Sequence, residues 1–332
     1  MSFLVGQWGT GTAGTRVLRA LIEHPDLELA GVVTGDPRHV GADAAELAGS
    51  GRPLGVLATD DPAELLARRP HVVCHTESDG ADAVGELCRL LEAGAGVVSD
   101  AVPSLVHPPS AGRGLVRRVR SACATGGAAC LTLGPGPAQD VLPLLLSGAC
   151  LRIEAVTITT FTGPDAPEGA GFGAPAGHRP PAVRPGAPRR CWGPVVRLLA
   201  EHLAVPLDEL RETYELCTAP EDIGRIAQGA QAGLRLRVSG MLGGRPVITI
   251  ERIARARADV APHWPAAPSG GGHRVEIAGE PPWCAEIAGP GDPAALRMAA
   301  AVPAVAGAPP GLHTPLTLPP FTGRRLLRPA RS

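Results

Sequence analysis

Six residues near the start of the chain have the spacing of a phosphate-binding turn. Gly9-Thr10-Gly11-Thr12-Ala13-Gly14 reads G-x-G-x-x-G. It follows the apolar run Phe3-Leu4-Val5 and leads into residues 15–24, where Val17, Leu18, Leu21 and Ile22 recur at helical spacing. Strand, glycine turn and helix in that order form a dinucleotide-binding fingerprint. The first glycine permits a tight turn, the second lets backbone approach a pyrophosphate, and the third lets helix pack on strand. Thr12 and Ala13 open the helix, whose free N–H groups and positive dipole end attract phosphate. About twenty residues further on, such folds place the group that reads the ribose 2′ position. Here that place is Thr34-Gly35, with Asp36, Arg38 and His39 just beyond. Thr34 would not repel a 2′-phosphate, and Arg38 is suited to bind one bidentately. The expected cofactor is NADP(H); NAD(H) is the alternative if Asp36 turns in and takes the ribose.

A second polar cluster is His75-Thr76-Glu77-Ser78-Asp79, at the end of an expected fourth strand. His75 and Thr76 are candidates for cofactor contact. Glu77 is a candidate general acid or base if desolvation raises its pKa toward neutral; the alternative is a solvated Glu77 beside a helix cap. Gly134, Gln139 and Asp140 mark the junction between two parts of the chain. Gly134 is placed for the nicotinamide and Gln139 for the substrate, while Asp140 reads as a helix cap. His178 and Trp192 are further candidates for substrate contact, although buried core is the commoner fate of a tryptophan.

Composition removes whole classes of function. All 31 basic residues are arginine, so Schiff-base catalysis and a P-loop lysine are impossible. The one tyrosine, Tyr214, excludes a Tyr-x-x-x-Lys pair. A net charge of −1 with four Trp, four Phe and one Tyr disfavours a nucleic-acid partner. The eight cysteines form no C-x-x-C pair, and no H-x-x-x-H pair falls on an expected helix, where it would place two ligands on one face, so no metal is expected. No apolar run is long enough to span a bilayer and no basic n-region precedes the first strand, so the expectation is a cytoplasmic protein acting on a small molecule.

The elements that must hold these residues alternate. Strands are expected over residues 27–33, 71–74, 95–98 and 128–133, and helices after Asp61-Pro62, from Ala83 to Leu91 and over 110–124. Such alternation implies an α/β fold, a Rossmann-type doubly wound parallel sheet with ligands beyond its strand carboxyl ends. The pattern then changes. Val156, Ile158 and Thr160 alternate with their neighbours, as do Leu234, Leu236 and Val238, and Gly243-Gly244 is a hairpin signal before residues 246–253. Residues 274–278 add a strand, while 194–204 and 207–216 have helical spacing. The expected architecture is a dinucleotide-binding domain of residues 1–137, to which 293–332 return, and a second α+β domain of residues 138–292 with a mixed or antiparallel sheet. Within the latter, residues 163–194 form a long Gly- and Pro-rich loop, a candidate lid.

Several segments together resemble a known family. They are Gln7-Trp8-Gly9-Thr10-Gly11, Ile22-Glu23-His24-Pro25-Asp26-Leu27-Glu28-Leu29, Pro135-Gly136-Pro137-Ala138-Gln139-Asp140, Gly171-Phe172-Gly173, Glu212-Thr213-Tyr214-Glu215, Gly244-Arg245-Pro246-Val247 and Ala308-Pro309-Pro310-Gly311-Leu312. The chain resembles the NAD(P)-dependent oxidoreductases related to dihydrodipicolinate reductase, in the branch of 2,4-diaminopentanoate dehydrogenase and the native amine dehydrogenases. The resemblance implies a Rossmann domain, a substrate domain that also builds a homodimer, and a hydride passed from NAD(P)H to a C=N or C=O carbon. It adds Phe172 to the substrate-side candidates and Ser99 to the cofactor side.

The chain departs from that pattern in two places. In amine-dehydrogenase members the loop after the fifth strand carries glutamates that hold the amine; here Val102 and Pro103 stand at those positions. Near the tail, R-x-x-N-A-x-P becomes Arg297-Met298-Ala299-Ala300-Ala301-Val302-Pro303. Asp100 and His107 are the ionisable groups nearest the missing glutamates, and with Glu77 they are the candidate catalytic residues. Three functions remain open at this point: reduction of an imine or carbonyl in an apolar substrate, reductive amination of a ketone with ammonia, and a non-redox role for a nucleotide-binding fold.

Overall fold

The computed structural model describes residues 2–76, 82–162, 172–176, 183–268, 271–289 and 294–327. The chain divides into two compact units, Met1–Gly136 with Pro293–Ser332, and Pro137–Asp292.

The first unit holds β1 (Phe3–Trp8), α1 (Thr12–Glu23), β2 (Leu27–Val33), α2 (Ala44–Leu47), β3 (Ala58–Thr59), α3 (Pro62–Ala67), β4 (Val72–His75), α4 (Ala83–Glu92), β5 (Gly96–Ser99), α5 (Arg113–Gly126) and β6 (Ala129–Thr132). Their sheet is parallel throughout. A strand from the C-terminal tail completes it, giving the order β3-β2-β1-β4-β5-β6 and then that strand. This is the doubly wound order whose reversal, between β1 and β4, opens a crevice at the strand carboxyl ends.

Each element follows from local chemistry. β4 and β5 are buried at every position, as strands covered on both faces must be. α3 begins at Pro62 behind Asp61, whose carboxylate accepts the Ala63 N–H at 2.8 Å. α4 begins behind Asp82, which accepts from Gly85 N–H at 3.0 Å. α5 ends at Gly127, in the left-handed conformation at φ 65°. The helix expected from residue 110 starts three residues later, because Pro103–Val106 and Pro108–Ser110 wind as two short 3-10 turns.

The second unit holds α6 (Val141–Ser147), β7 (Arg152–Thr162), α7 (Ala187–His202), β8 (Glu209–Thr218), β9 (Gln231–Leu242), β10 (Arg245–Arg255), β11 (Gly272–Glu280) and β12 (Trp283–Ala288). The tail adds α8 (Ala294–Ala306) and β13 (Gly311–His313) to the first unit, where β13 pairs with β6. The second sheet runs β12-β11-β7-β10-β9-β8 and is mixed: β10 lies parallel to β7, and the other pairs are antiparallel. One face carries Val156, Ile158, Leu236, Val238, Ile250 and Val275, all buried, and α7 packs there, since a Cβ at Gly240 would come within 2.9 Å of Val196 Cγ1. Gly243 and Gly244 sit at φ 56° and 75°, the two positive values a tight hairpin requires.

One element differs in type from its sequence pattern. Residues 207–216 have helical spacing, yet Glu209–Thr218 is a strand. Leu210, Glu212, Tyr214 and Leu216 also alternate, and they pair with Gly240, Val238, Leu236 and Leu234 of β9. A full-length antiparallel partner outweighs the modest helix preference of Glu, Leu and Arg.

Candidate active site

The glycine turn is built before any ligand meets it. Gly9 has φ 97°, and a Cβ there would lie 2.5 Å from Thr76 Oγ1. At Gly14 a Cβ would lie 2.1 Å from Gly9 O, against rigid backbone. Gly11 is different: a Cβ there would meet nothing within 4 Å. It is the N-cap of α1, and no side chain caps that end. The first intrahelical bond runs from Thr15 N–H to Gly11 O at 2.9 Å, which leaves the N–H groups of Thr12, Ala13 and Gly14 for a ligand. Two glycines close the turn and the third faces open space, the arrangement a pyrophosphate requires.

Below the turn lies a buried lattice. Gln7 is 0% exposed, and its Nε2 donates to Gly9 O at 2.8 Å, Trp8 O at 3.2 Å and Thr76 Oγ1 at 3.2 Å. Thr76 Oγ1 donates onward to Trp8 O at 3.0 Å. His75, also fully buried, is held by Ser99 Oγ at 3.1 Å from Nδ1 and by Glu86 Oε2 at 3.0 Å from Nε2. His75, Thr76 and Ser99 thus support the turn with buried side chains that are bonded to protein.

The end of β2 carries the predicted ribose-side residues. Thr34 is buried, with its hydroxyl 2.5 Å from Thr10 Oγ1, which lies 2.8 Å from His39 Nδ1. Asp36 receives Arg38 bidentately, Nε to Oδ1 at 3.0 Å and Nη2 to Oδ2 at 2.6 Å. The Arg38 guanidinium and backbone N–H hold the Asp36 carboxyl far below the usual carboxylate range. Arg38 and Asp36, read from sequence as competitors for the ribose, therefore form one pair. Trp8, Thr34, Gly35, Asp60, Glu86 and Arg89 line a neighbouring pocket of about 610 Å³.

Asp100 and His107 belong to the loop after β5. The Asp100 N–H donates to His75 O at 3.2 Å. Burial, with the Asp100 charge adding to it, pushes the neighbouring Cys74 thiol far up. His107 is 8% exposed, and its Nδ1 lies 2.8 Å from Ser110 Oγ, inside the second 3-10 turn. Between them Val102, Leu105 and Val106 are buried, and Val102 and Leu105 belong to the first unit's apolar core. Gly134 is buried at the end of the first unit. Glu77 and His178 lie outside the described residues.

In the second unit, Gln139 is 4% exposed, and its Nε2 donates to Thr160 Oγ1 at 3.1 Å. Thr160 Oγ1 lies 3.2 Å from His273 Nδ1. Arg252 pairs with Thr160 in register, and its Nε donates to Thr162 Oγ1 at 2.9 Å. Gln139 Oε1 is buried without a hydrogen-bond partner among the described residues, which costs about 1–3 kcal/mol unless a ligand donor supplies the bond. His273 went unnoticed in the sequence, because the strand neighbour that gives it meaning is 113 residues away. Phe172 and Trp192 pack half-buried against Val183, Leu234, Leu236 and Ala254, as part of that unit's core. No group of three or more His, Cys, Asp or Glu among the described residues could hold a metal, and no described helix is long and apolar enough to cross a membrane.

The chain as a whole is similar to known proteins. The amine dehydrogenase of Streptomyces virginiae is 35% identical, across 96% of this chain and 97% of that protein. Among solved structures, the amine dehydrogenase from Mycobacterium smegmatis superposes with a TM-score of 0.75 at 21% identity, covering 97% of both chains. The dipicolinate-bound dihydrodipicolinate reductase from Paenisporosarcina sp. TG-14 shares the fold, with a TM-score of 0.55 at 11% identity over 95% of this chain and 98% of that one. No family model matches the chain. On the full-length similarity and the nicotinamide-dinucleotide turn, the chain belongs to the amine dehydrogenase family of NAD(P)-dependent oxidoreductases.

Proposed function

We propose that the protein reduces a C=N bond in a small to medium apolar substrate, using NADP(H) in preference to NAD(H). The observation that carries this reading is the turn after β5. Val102 and Pro103 stand where the resemblance places amine-holding glutamates, and the turn is packed apolar through Val106. A turn without carboxylates at those two positions supplies no counter-charge there to ammonium, whose burial without one is costly. It suits a substrate whose nitrogen arrives already bonded to carbon.

The residues present fit a nicotinamide dinucleotide. Thr12, Ala13 and Gly14 would hold the pyrophosphate, and the cluster from Thr10 to His39 the ribose. The bound cofactor supplies the hydride; the protein supplies orientation and electrostatics. Arg38 favours NADP(H), since its side chain is 86% exposed and a 2′-phosphate would offer it a dianion in place of Asp36. On the substrate side, the unsatisfied Gln139 Oε1 would accept from the substrate's N–H, and Thr160 and His273 fix the orientation of that amide.

The test offers a cyclic imine with NADPH, and in parallel the matching ketone with ammonia. Turnover of the imine with no turnover of ketone plus ammonia is expected. Equal rates would establish reductive amination, the second reading, which the 35% identical amine dehydrogenase favours. If a side chain protonates the product, one of Glu77→Gln, Asp100→Asn or His107→Ala lowers kcat by about a hundredfold while NADPH affinity is kept. We also propose a homodimer through the second sheet's other face, where Thr157, Ser239, Thr249 and Arg237 lie opposite the side that α7 covers. A monomer at micromolar concentration in sedimentation would refute it.

A further inference from the structure

Every charged residue of α5 is basic. Its sequence RGLVRRVRSACATG contains four arginines and no acid. Arg118 points toward α4, with its Nη2 4.0 Å from Asp82 Oδ2. The other three, Arg113, Arg117 and Arg120, are exposed. At 100° per residue they fall within a sector of about 60°, and they span about 10 Å of helix axis. None makes a hydrogen bond or ion pair among the described residues; exposed arginines elsewhere, such as Arg52, Arg225 and Arg245, are also unpaired, but these three share one face of one helix. The three guanidiniums rim a groove of about 590 Å³ whose remaining lining includes Pro108, Pro109, Ala111 and Val116, with no acidic residue.

We propose that this groove docks an acidic amphipathic helix of a partner protein. Three observations select that occupant. The cations are strung over two helical turns, so they match carboxylates at i, i+4 and i+7 of a facing helix, not a single small anion. The lining between them is apolar, which suits the buried side of such a helix. The lining has no aromatic ring on which a nucleobase would stack. A partner seated there rests against Pro108 and Pro109, directly after His107, on the flank of the turn that begins at Val102. The inference stands whatever the identity of the reduced substrate.

Fluorescence anisotropy of the full-length protein tests it. The probe is a labelled 18-residue helical peptide with glutamate along one face and leucine along the other. Controls are a scrambled peptide of equal composition and a 20-nucleotide single-stranded DNA. The variant R113E/R117E/R120E is expected to weaken binding of the amphipathic peptide by about tenfold or more. The variant R52E/R225E/R245E changes net charge equally at exposed positions elsewhere and is expected to keep affinity within about threefold. Circular dichroism confirms that both variants fold; should the groove variant not fold, R113Q/R117Q/R120Q replaces it with the same expectation. The proposal is overturned by an absence of binding, by equal binding of the scrambled peptide, by equal loss in both variants, or by DNA binding more tightly than peptide in a groove-dependent way.

Discussion

Gly11 and Gly14 sit three residues apart in one turn, and the structure assigns them opposite sensitivities. Gly14→Ala would put a methyl 2.1 Å from Gly9 O and 2.7 Å from Gly9 C. Neither atom can swing aside, so the turn and α1 must separate. Overpacking against backbone costs about 1–3 kcal/mol. For a cooperative unit of 150–250 residues each kcal/mol lowers Tm by about 2–4 °C, which puts the loss at about 2–12 °C. Gly11→Ala meets nothing within 4 Å, at φ −66° and ψ −175°, a conformation alanine adopts freely. Its structural cost is that of a poorer N-cap, at most about 1 kcal/mol. The methyl would instead stand where a pyrophosphate approaches the N–H groups of Thr12 and Ala13. Hydrogen bonds to a charged group contribute about 1.5–3 kcal/mol each, so displacing one weakens binding by about tenfold to a hundredfold. Differential scanning fluorimetry and NADPH fluorescence titration read the two quantities separately. If Gly11→Ala binds NADPH within about twofold of the parent, the turn is not the pyrophosphate site. If Gly14→Ala melts with the parent, the close approach of α1 is wrong.

Arg38→Ala should weaken NADPH by about tenfold and leave NADH nearly unchanged, because only the former carries a 2′-phosphate; equal losses in isothermal titration would reject the assignment. Glu251, 2% exposed, accepts from Arg235 and from Thr159 at 2.8 Å each. Glu251→Ala should destabilise the second unit by about 3–5 kcal/mol, and the added change Arg235→Met should restore much of it. Urea denaturation of the four-member cycle checks this; strict additivity would show that the pair does not interact. Desolvation raises the thiols of Cys74, Cys123 and Cys130, Cys123 to about 11, whereas Cys191 and Cys284 are exposed. A disulfide reagent at pH 8 should therefore modify Cys191 and Cys284 promptly and the three core thiols only with unfolding. Prompt modification of Cys74 would contradict its burial.

The parallel sheet was legible because its strands are short continuous apolar runs separated by amphipathic helices, and because the glycine spacing names the first crossover. β8 was not, because its residues satisfy both the helical and the alternating pattern, and only pairing with β9 decides between them. The candidate site divides similarly. The glycines and Thr34 could be singled out because their place at a strand end or in a turn depends on local sequence. Pairings such as His75 with Glu86, or Thr160 with Gln139 and His273, join separate elements and leave no local periodicity. Arg38 was expected to meet a 2′-phosphate, but its grip on Asp36 depends on a turn at residues 36–39 whose closure shows only in three dimensions.

The amide of Gln7 also sets the polarity of the turn above it. By holding Gly9 O and Trp8 O from beneath, it draws electron-rich carbonyls into the protein and leaves N–H groups outermost. The turn therefore shows one electrical sign to its surroundings before any partner arrives. A cation near it would find Gly9 O and Trp8 O already engaged, whereas an oxyanion would find the N–H groups of Thr12, Ala13 and Gly14 without intrahelical partners. A preference for anions over cations at this turn would thus begin with one buried side chain beneath it.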